Sequence, residues 1–144
     1  MSKRASIKNA LVAKLKEING TSPYSSNLYT NVVGKLIYWN EVPDYPYVCV
    51  TANNEIREYL PGDFKWGIVN IPIWIYVKND NADEVLENIL DDIELLVDAN
   101  LELEYETGRF TEDIRILNIS SDEGLMKPLG IGEILLQVRY GIDG

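Results

Sequence analysis

The sequence contains no histidine and a single cysteine, Cys49, among its 144 residues. The lack of histidine removes the commonest general base, the Ser-His and Cys-His nucleophile pairs and most zinc sites. One cysteine forms no disulfide within the chain, which fits a reducing intracellular setting. Cys49 lies between Val48 and Val50 with no cation beside it, so we expect a buried structural thiol.

Long apolar runs are also missing. The longest, Ile71–Val77, includes a proline and is far shorter than the roughly 20 residues of a membrane span. The charged N-terminus is not followed by an apolar segment, so we expect no signal peptide. Basic residues are scarce, with 13 against 23 acidic residues and a formal charge of −10. Such an acidic surface repels phosphates and argues against a sequence-reading nucleic-acid binder.

The remaining composition is that of one globular domain spanning residues 1–144, with 46% apolar and 25% charged residues. Charge is unevenly distributed. Residues 3–16 carry five cations and no acid, whereas residues 80–113 carry thirteen acids and one cation, Arg109. This asymmetry is typical either of a solvated acidic face or of head-to-tail contact between copies.

Hydrophobic periodicity predicts two helices, Ser6–Ile18 and Ala82–Ala99. In the second, acidic residues that include Asp91 and Asp92 fill the positions outside the apolar stripe, and we expect them to be solvated. Alternating patterns predict strands, and the alternation is strongest over Ile68–Val77. Because Pro72 lacks an N–H group, we expect this strand to be an edge or to carry a bulge there. The further predicted strands are Lys35–Trp39, Tyr47–Thr51, Asn54–Tyr59, Leu101–Thr107, Asp113–Ile119 and Glu133–Tyr140, and Gly20–Gly34 reads as a long loop.

This order of elements predicts an α+β fold. We expect one domain with a mainly antiparallel or mixed β-sheet, two main helices packed on one face of the sheet, and a long projecting β-hairpin within Asn53–Val77.

No catalytic, cofactor-binding or metal-binding constellation emerges, and we expect no enzyme activity and no cofactor. A carboxylate-based hydrolase would need two carboxylates about 5–10 Å apart in a cleft, but the acids of this chain lie on the polar face of an amphipathic helix. The lone Gly130-Ile131-Gly132 lacks the helix that a nucleotide site requires. What remains is surface chemistry. Aromatic residues at loop tips are typical of protein interfaces. Phe64 and Trp66 therefore either contact a partner or fold back and form a minor core.

Five segments together resemble a known family: the short N-terminal helix, Asp44–Val50, the Glu55–Trp66 hairpin leading into Ile71–Val77, the acidic helix ending in Asp98-Ala99-Asn100, and the tail from Asp113 to Tyr140. In order and length they resemble the tail-terminator (tail-completion) proteins of long-tailed bacteriophages, the minor tail protein U-like family. The resemblance covers nearly the whole chain, and none of its motifs is catalytic.

The resemblance implies a structural virion protein that forms a hexameric ring on the last ring of the tail tube, stops its polymerisation and presents the surface that joins the head–tail connector or stopper protein. It implies assembly in the host bacterial cytoplasm, a place at the head-proximal end of the tail, no membrane association, and phage DNA passing through the lumen without specific binding. Two alternatives stay open: another head–tail joining protein, such as a stopper or neck protein, and a small cytosolic binding module.

The candidate interface residues follow from charge and shape, not from a family motif. We expect the basic first helix or Arg57 to meet acidic residues of the adjacent subunit, and the Asn53–Gly67 hairpin to reach across. The residues chosen on this basis are Lys3, Arg4, Lys8, Arg57, Tyr59, Phe64 and Trp66.

Overall fold

The computed structural model describes residues 2–143. Its helices are α1 (Lys3–Leu15) and α2 (Ala82–Asp98), and a 3₁₀ turn spans Trp39–Glu41. Its strands are β1 (Val32–Val33), β2 (Tyr47–Val50), β3 (Glu55–Tyr59), β4 (Phe64–Lys78), β5 (Glu104–Glu106), β6 (Arg109–Phe110), β7 (Asp113–Ser121) and β8 (Leu129–Asp143).

Six strands form one mixed sheet in the order β1-β2-β4-β8-β7, and β3 pairs with β4 beyond the end of β2. Only the β1–β2 pairing is parallel among the strand pairs of residues 2–143. Strands β5 and β6 form a separate two-stranded ribbon. This architecture confirms the predicted α+β class.

One face of the sheet carries the main core. The odd positions of β4 from Val69 to Ile75 are fully buried, as their alternation predicts. Both helices cover this face. Helix α1 contributes Ile7, Leu11 and Leu15, and α2 contributes a longer stripe that includes Leu86 and Ile93. The expected packing of two helices on one face is therefore confirmed.

A smaller core on the opposite face explains one wrong strand prediction. Tyr47, Cys49 and Tyr76 are buried there, and the irregular segment around Ile37 and Val42 packs against them. The predicted strand Lys35–Trp39 does not exist: Ile37 packs on this face, whereas Leu36, Tyr38 and Trp39 are exposed and the segment does not pair in the sheet. The only strand of this region within residues 2–143 is the short β1, inside the predicted Gly20–Gly34 loop.

The prediction that β4 is an edge at Pro72 is also wrong, since β4 lies in the middle of the sheet. Residues 51–54, between β2 and β3, lie opposite Asn70–Pro72 of β4 and are not part of a regular strand. The N–H of Thr51 donates to the Pro72 carbonyl over 3.1 Å. The N–H and C=O of one strand residue point to the same side, so the missing donor of Pro72 falls at this interruption of the ladder. We call residues 51–54 the joint.

Further boundaries differ from prediction. Helix α1 ends at Leu15 and not at Ile18, and β4 and β8 extend beyond their predicted ranges at both ends. Helix α1 begins three residues earlier, because Ser2 Oγ accepts from the N–H of Ala5 over 3.1 Å and caps it there. In Leu101–Thr107 only Glu104–Glu106 is a strand. The buried Thr111 hydroxyl accepts from the N–H of Leu103 and donates to the carbonyl of Leu101, which folds the start of this segment into a turn.

Candidate interaction surface

The β3–β4 hairpin is the most exposed part of the sheet. Its register runs from Glu55 opposite Val69 to Tyr59 opposite Lys65, and the turn closes through a hydrogen bond from Leu60 N–H to the Phe64 carbonyl over 3.1 Å. Gly62 takes a φ of 84° in this turn, a conformation that suits glycine. Strand β8 pairs with the other side of β4, so the hairpin is supported along one edge only.

Phe64 and Trp66 lie together on one face of the hairpin. Their ring centroids are 4.9 Å apart at an interplanar angle of 85°, an edge-to-face contact. Gly141 of β8 pairs with Trp66 and leaves room for both rings. Both aromatic side chains are half-buried, so they form neither a closed minor core nor a fully exposed tip.

Charged groups extend this aromatic face. The guanidinium of Arg139 lies 5.7 Å from the Trp66 ring centroid, a cation–π arrangement, and its Nη2 is 4.0 Å from a carboxylate oxygen of Glu58. On the opposite face of the hairpin, near the tip, Lys65 Nζ lies 5.3 Å from the ring centroid of Tyr59, which is 72% exposed. A surface depression of about 390 Å³ is lined by Tyr59, Gly62, Asp63, Phe64 and Lys65.

The other face of the hairpin carries a buried carboxylate that the sequence analysis missed. The Glu55 side chain is only 4% exposed and forms an ion pair with Arg57. Its Oε1 accepts a hydrogen bond from the Tyr140 hydroxyl over 2.8 Å and lies 3.8 Å from Arg4 Nε. Two cations and a hydroxyl therefore converge on one carboxylate, which compensates the charge for its loss of water.

Arg4 also connects α1 to the joint. Its Nη2 donates to the carbonyls of Ala52 and Asn53 over 3.3 and 3.1 Å. The neighbouring Lys3 donates from Nζ to the Gly141 carbonyl over 3.4 Å. The start of α1 is thus hydrogen-bonded to the joint, which leads into the hairpin, and to β8, which pairs with it.

Tyr140 closes this cluster from the sheet. Its ring stands edge-to-face to Tyr105 with centroids 6.2 Å apart. Burial raises the pKa of Tyr140 above its usual value of 10.0, while the nearby charges of Arg57 and Arg4 lower it and Tyr105 adds a small increase. At neutral pH the hydroxyl is therefore protonated and able to donate to Glu55.

The structure divides the predicted interface residues into groups. Phe64 and Trp66 come together, with Tyr59 at the tip. Arg4 and Arg57 meet at Glu55, within one chain. Lys8 lies farther along α1, where its stem passes Gly34. The Glu55–Tyr140 contact joins residues 85 positions apart, so no local pattern signalled it.

Helix α2 presents a separate acidic surface. Six exposed carboxylates form it: Asp83, Glu84, Glu87, Asp91, Glu94 and Asp98. The expectation that Asp92 is solvated too is wrong, because Asp92 is 5% exposed. Its carboxylate accepts from the backbone N–H groups of Ser25 and Ser26 over 3.2 and 2.7 Å and holds that loop against α2.

Within residues 2–143 no group of three or more acidic or cysteine side chains is arranged to hold a metal ion. No helix in this range is both long and apolar enough to span a membrane.

The fold has a counterpart in solved virion structures. A chain in the structure titled "Virion of native gene transfer agent (GTA) particle" superimposes with a TM-score of 0.60, covering 94% of this chain and 95% of that chain at 11% identity. At this identity the likeness concerns the fold alone.

Relatives that share the sequence as well as the fold identify the family. The family model described as "Bacteriophage Tail Tube Terminator Protein" matches residues 1–143. The tail tube terminator protein p142 of Escherichia phage T5 is 34% identical over 152 aligned positions, which cover 97% of this chain and 94% of that protein. The protein is accordingly a structural component of the phage virion tail. It belongs to the family of bacteriophage tail tube terminator proteins, which confirms the resemblance and selects it over a stopper or neck protein and over a binding module.

Proposed function

We propose that the protein ends the tail tube as a closed ring of six copies, which sits on the last ring of the tube, stops its polymerisation and presents its far surface to the head–tail connector or stopper protein. The observation that carries this proposal is the family match over residues 1–143, which includes both the hairpin and α2. The tube itself is the partner on one side of the ring.

The contact between copies that we propose is heterologous, with two different surfaces meeting. One surface is the hairpin, with Phe64 and Trp66 on one face and Tyr59 and Arg57 on the other, together with the basic residues Lys3, Arg4 and Lys8 of α1. The other is the acidic surface of α2. These surfaces belong to different elements of the chain, so each copy can use both at once, and a heterologous contact closes when its rotation completes a ring.

The net charge supports a passive role toward DNA. Six copies at −10 each carry a formal charge of −60. A strongly acidic wall repels phosphates, so phage DNA passes through the lumen without specific binding.

Light scattering behind size exclusion, over a concentration series, tests the ring. We expect a species near six times the 16.4 kDa of the chain. Trp66→Ala and Arg57→Glu are expected to weaken it. Trp39→Ala is the matched control, since Trp39 is 47% exposed on the 3₁₀ turn, outside the hairpin. Equal assembly of all three variants would overturn the interface assignment.

Electron microscopy of tubes polymerised with the protein tests termination. We expect short tubes that bear one additional ring at an end. A monomer at every concentration, combined with tube ends that carry no ring, would overturn the ring itself.

A further inference from the structure

The cluster at Glu55 connects four elements at the base of the hairpin. Arg4 comes from α1, Glu55 and Arg57 from β3, and Tyr140 from β8, while β4 supplies Gly67, over which the tyrosine ring lies. We call the contacts of Arg4, Arg57 and Tyr140 with Glu55 the latch.

The latch lies beside the part of the sheet where the backbone ladder is interrupted. Pairing between β2 and β4 ends at Val50 opposite Ile73, and pairing between β3 and β4 begins at Glu55 opposite Val69. The joint between them includes the Ala52 and Asn53 carbonyls, which accept hydrogen bonds from Arg4. The joint keeps three backbone hydrogen bonds to Asn70 and Pro72 of β4, and Arg4 adds a side-chain contact from α1 to the same segment.

We propose that Glu55 is a positioning residue, and that the latch fixes the orientation of β3 and of the hairpin tip relative to the body of the domain. The first turn of α1 thereby controls the hairpin, although it contributes nothing to the tip itself. The consequence for assembly rests on the proposed ring, in which the hairpin reaches a neighbouring copy. An oriented hairpin loses less conformational freedom when the ring closes.

Amide hydrogen exchange on the monomer tests the latch independently of the ring. In Glu55→Gln, which keeps an oxygen for Tyr140 but removes the charge, we expect exchange across residues 55–66 to accelerate by about tenfold or more. Exchange at residues 73–77, in the core of β4, is expected to stay at the wild-type rate. Arg4→Met is expected to give the same pattern, because it removes the bridge to the joint and keeps the apolar stem.

Lys14→Met is the matched control for Arg4→Met. Lys14 lies on the same helix, its side chain is also 37% exposed, and its ion pair with Glu17 is remote from the hairpin. We expect this variant to leave exchange unchanged in both regions. Uniform acceleration that includes residues 73–77 would show general destabilisation and overturn a positioning role, as would wild-type exchange in both latch variants.

Ring assembly of the same variants separates the two proposals. If the wild-type protein forms no ring, the exchange pattern still decides the latch. If it does form a ring, Glu55→Gln, at a buried residue outside the proposed contact surface, is expected to weaken assembly by about tenfold, while Lys14→Met assembles as the wild type does. Faster hairpin exchange with unaltered assembly would overturn the link between the latch and the ring.

Discussion

The ring of Tyr140 fills the space that a side chain at Gly67 would need. A Cβ atom at Gly67 would lie 2.6 Å from both Cε1 and Cζ of Tyr140, much closer than real Cβ contacts allow. Gly67 and Tyr140 are direct partners across β4 and β8. This close approach lets the tyrosine lie flat over β4 and reach Glu55 on β3 with its hydroxyl.

Gly67→Ala is therefore expected to displace Tyr140 and lower the free energy of unfolding by about 1–3 kcal/mol, the usual cost of overpacking a well-packed site. Chemical denaturation of the monomer measures the loss. Gly141→Ala is the control, since a Cβ there would meet the Phe64 ring at an ordinary 3.4 Å. Equal losses in both variants would contradict a specific clash between the Gly67 position and the Tyr140 ring.

The buried carboxylate of Asp92 gives a second prediction. Asp92→Asn replaces one accepting oxygen by an NH₂ group that faces the N–H donors of Ser25 and Ser26. We expect a loss of about 1–3 kcal/mol in the free energy of unfolding, the range for buried donors left without an acceptor. Asp91→Asn, at the exposed adjacent position, is expected to change it by less than about 0.5 kcal/mol. Similar values for the two variants would contradict an anchoring role for Asp92.

Much of the fold could be predicted because its signals are local. The alternation in β4 and the helical stripe in α2 each reflect one buried face, and the structure buries those faces. The error at Lys35–Trp39 has a different origin. Its Ile37 packs against the second face, whereas Leu36, Tyr38 and Trp39 stay exposed, so its run of apolar residues does not reflect a buried strand face.

The site was harder to predict, for a physical reason. Aromatic residues beside a turn indicate a surface, so Phe64 and Trp66 could be identified from sequence. The roles of Arg4 and Arg57 depend on Glu55, which lies 51 positions after Arg4 and appears in the sequence as an ordinary acidic strand residue. Helical spacing places Asp92, three residues after Ile89 and four before Leu96, on the buried side of α2, but it does not reveal its partners Ser25 and Ser26. Long-range partners, not residue types, determine these roles.

The buried tyrosines make the free energy of unfolding depend on pH in the alkaline range. Burial raises the pKa of Tyr24, Tyr47, Tyr76 and Tyr140 above the usual value of 10.0. Ultraviolet absorbance titration is expected to show these four tyrosines ionising at higher pH in the folded protein than in the denatured chain. Because the folded state holds their protons more tightly than the unfolded state, this stabilisation is complete below pH 10 and is lost as the pH rises through the raised values. Identical tyrosine titration curves for the folded and the denatured protein would contradict it.

Charge gives the last prediction, for the proposed contact between copies. If Lys8 of one copy faces the acidic surface of α2 in the next, Lys8→Glu places like charges together, and we expect ring association to weaken by about tenfold at low salt. The deficit is expected to shrink as the ionic strength rises, because salt screens exposed charges more than about 10 Å apart at 0.1 M. Sedimentation velocity across a salt series measures both effects. Lys16→Glu, with the same change of charge at an exposed position just after α1, is the control. If ring association weakens equally and with the same salt dependence in both variants, net charge causes the effect and not a contact at Lys8.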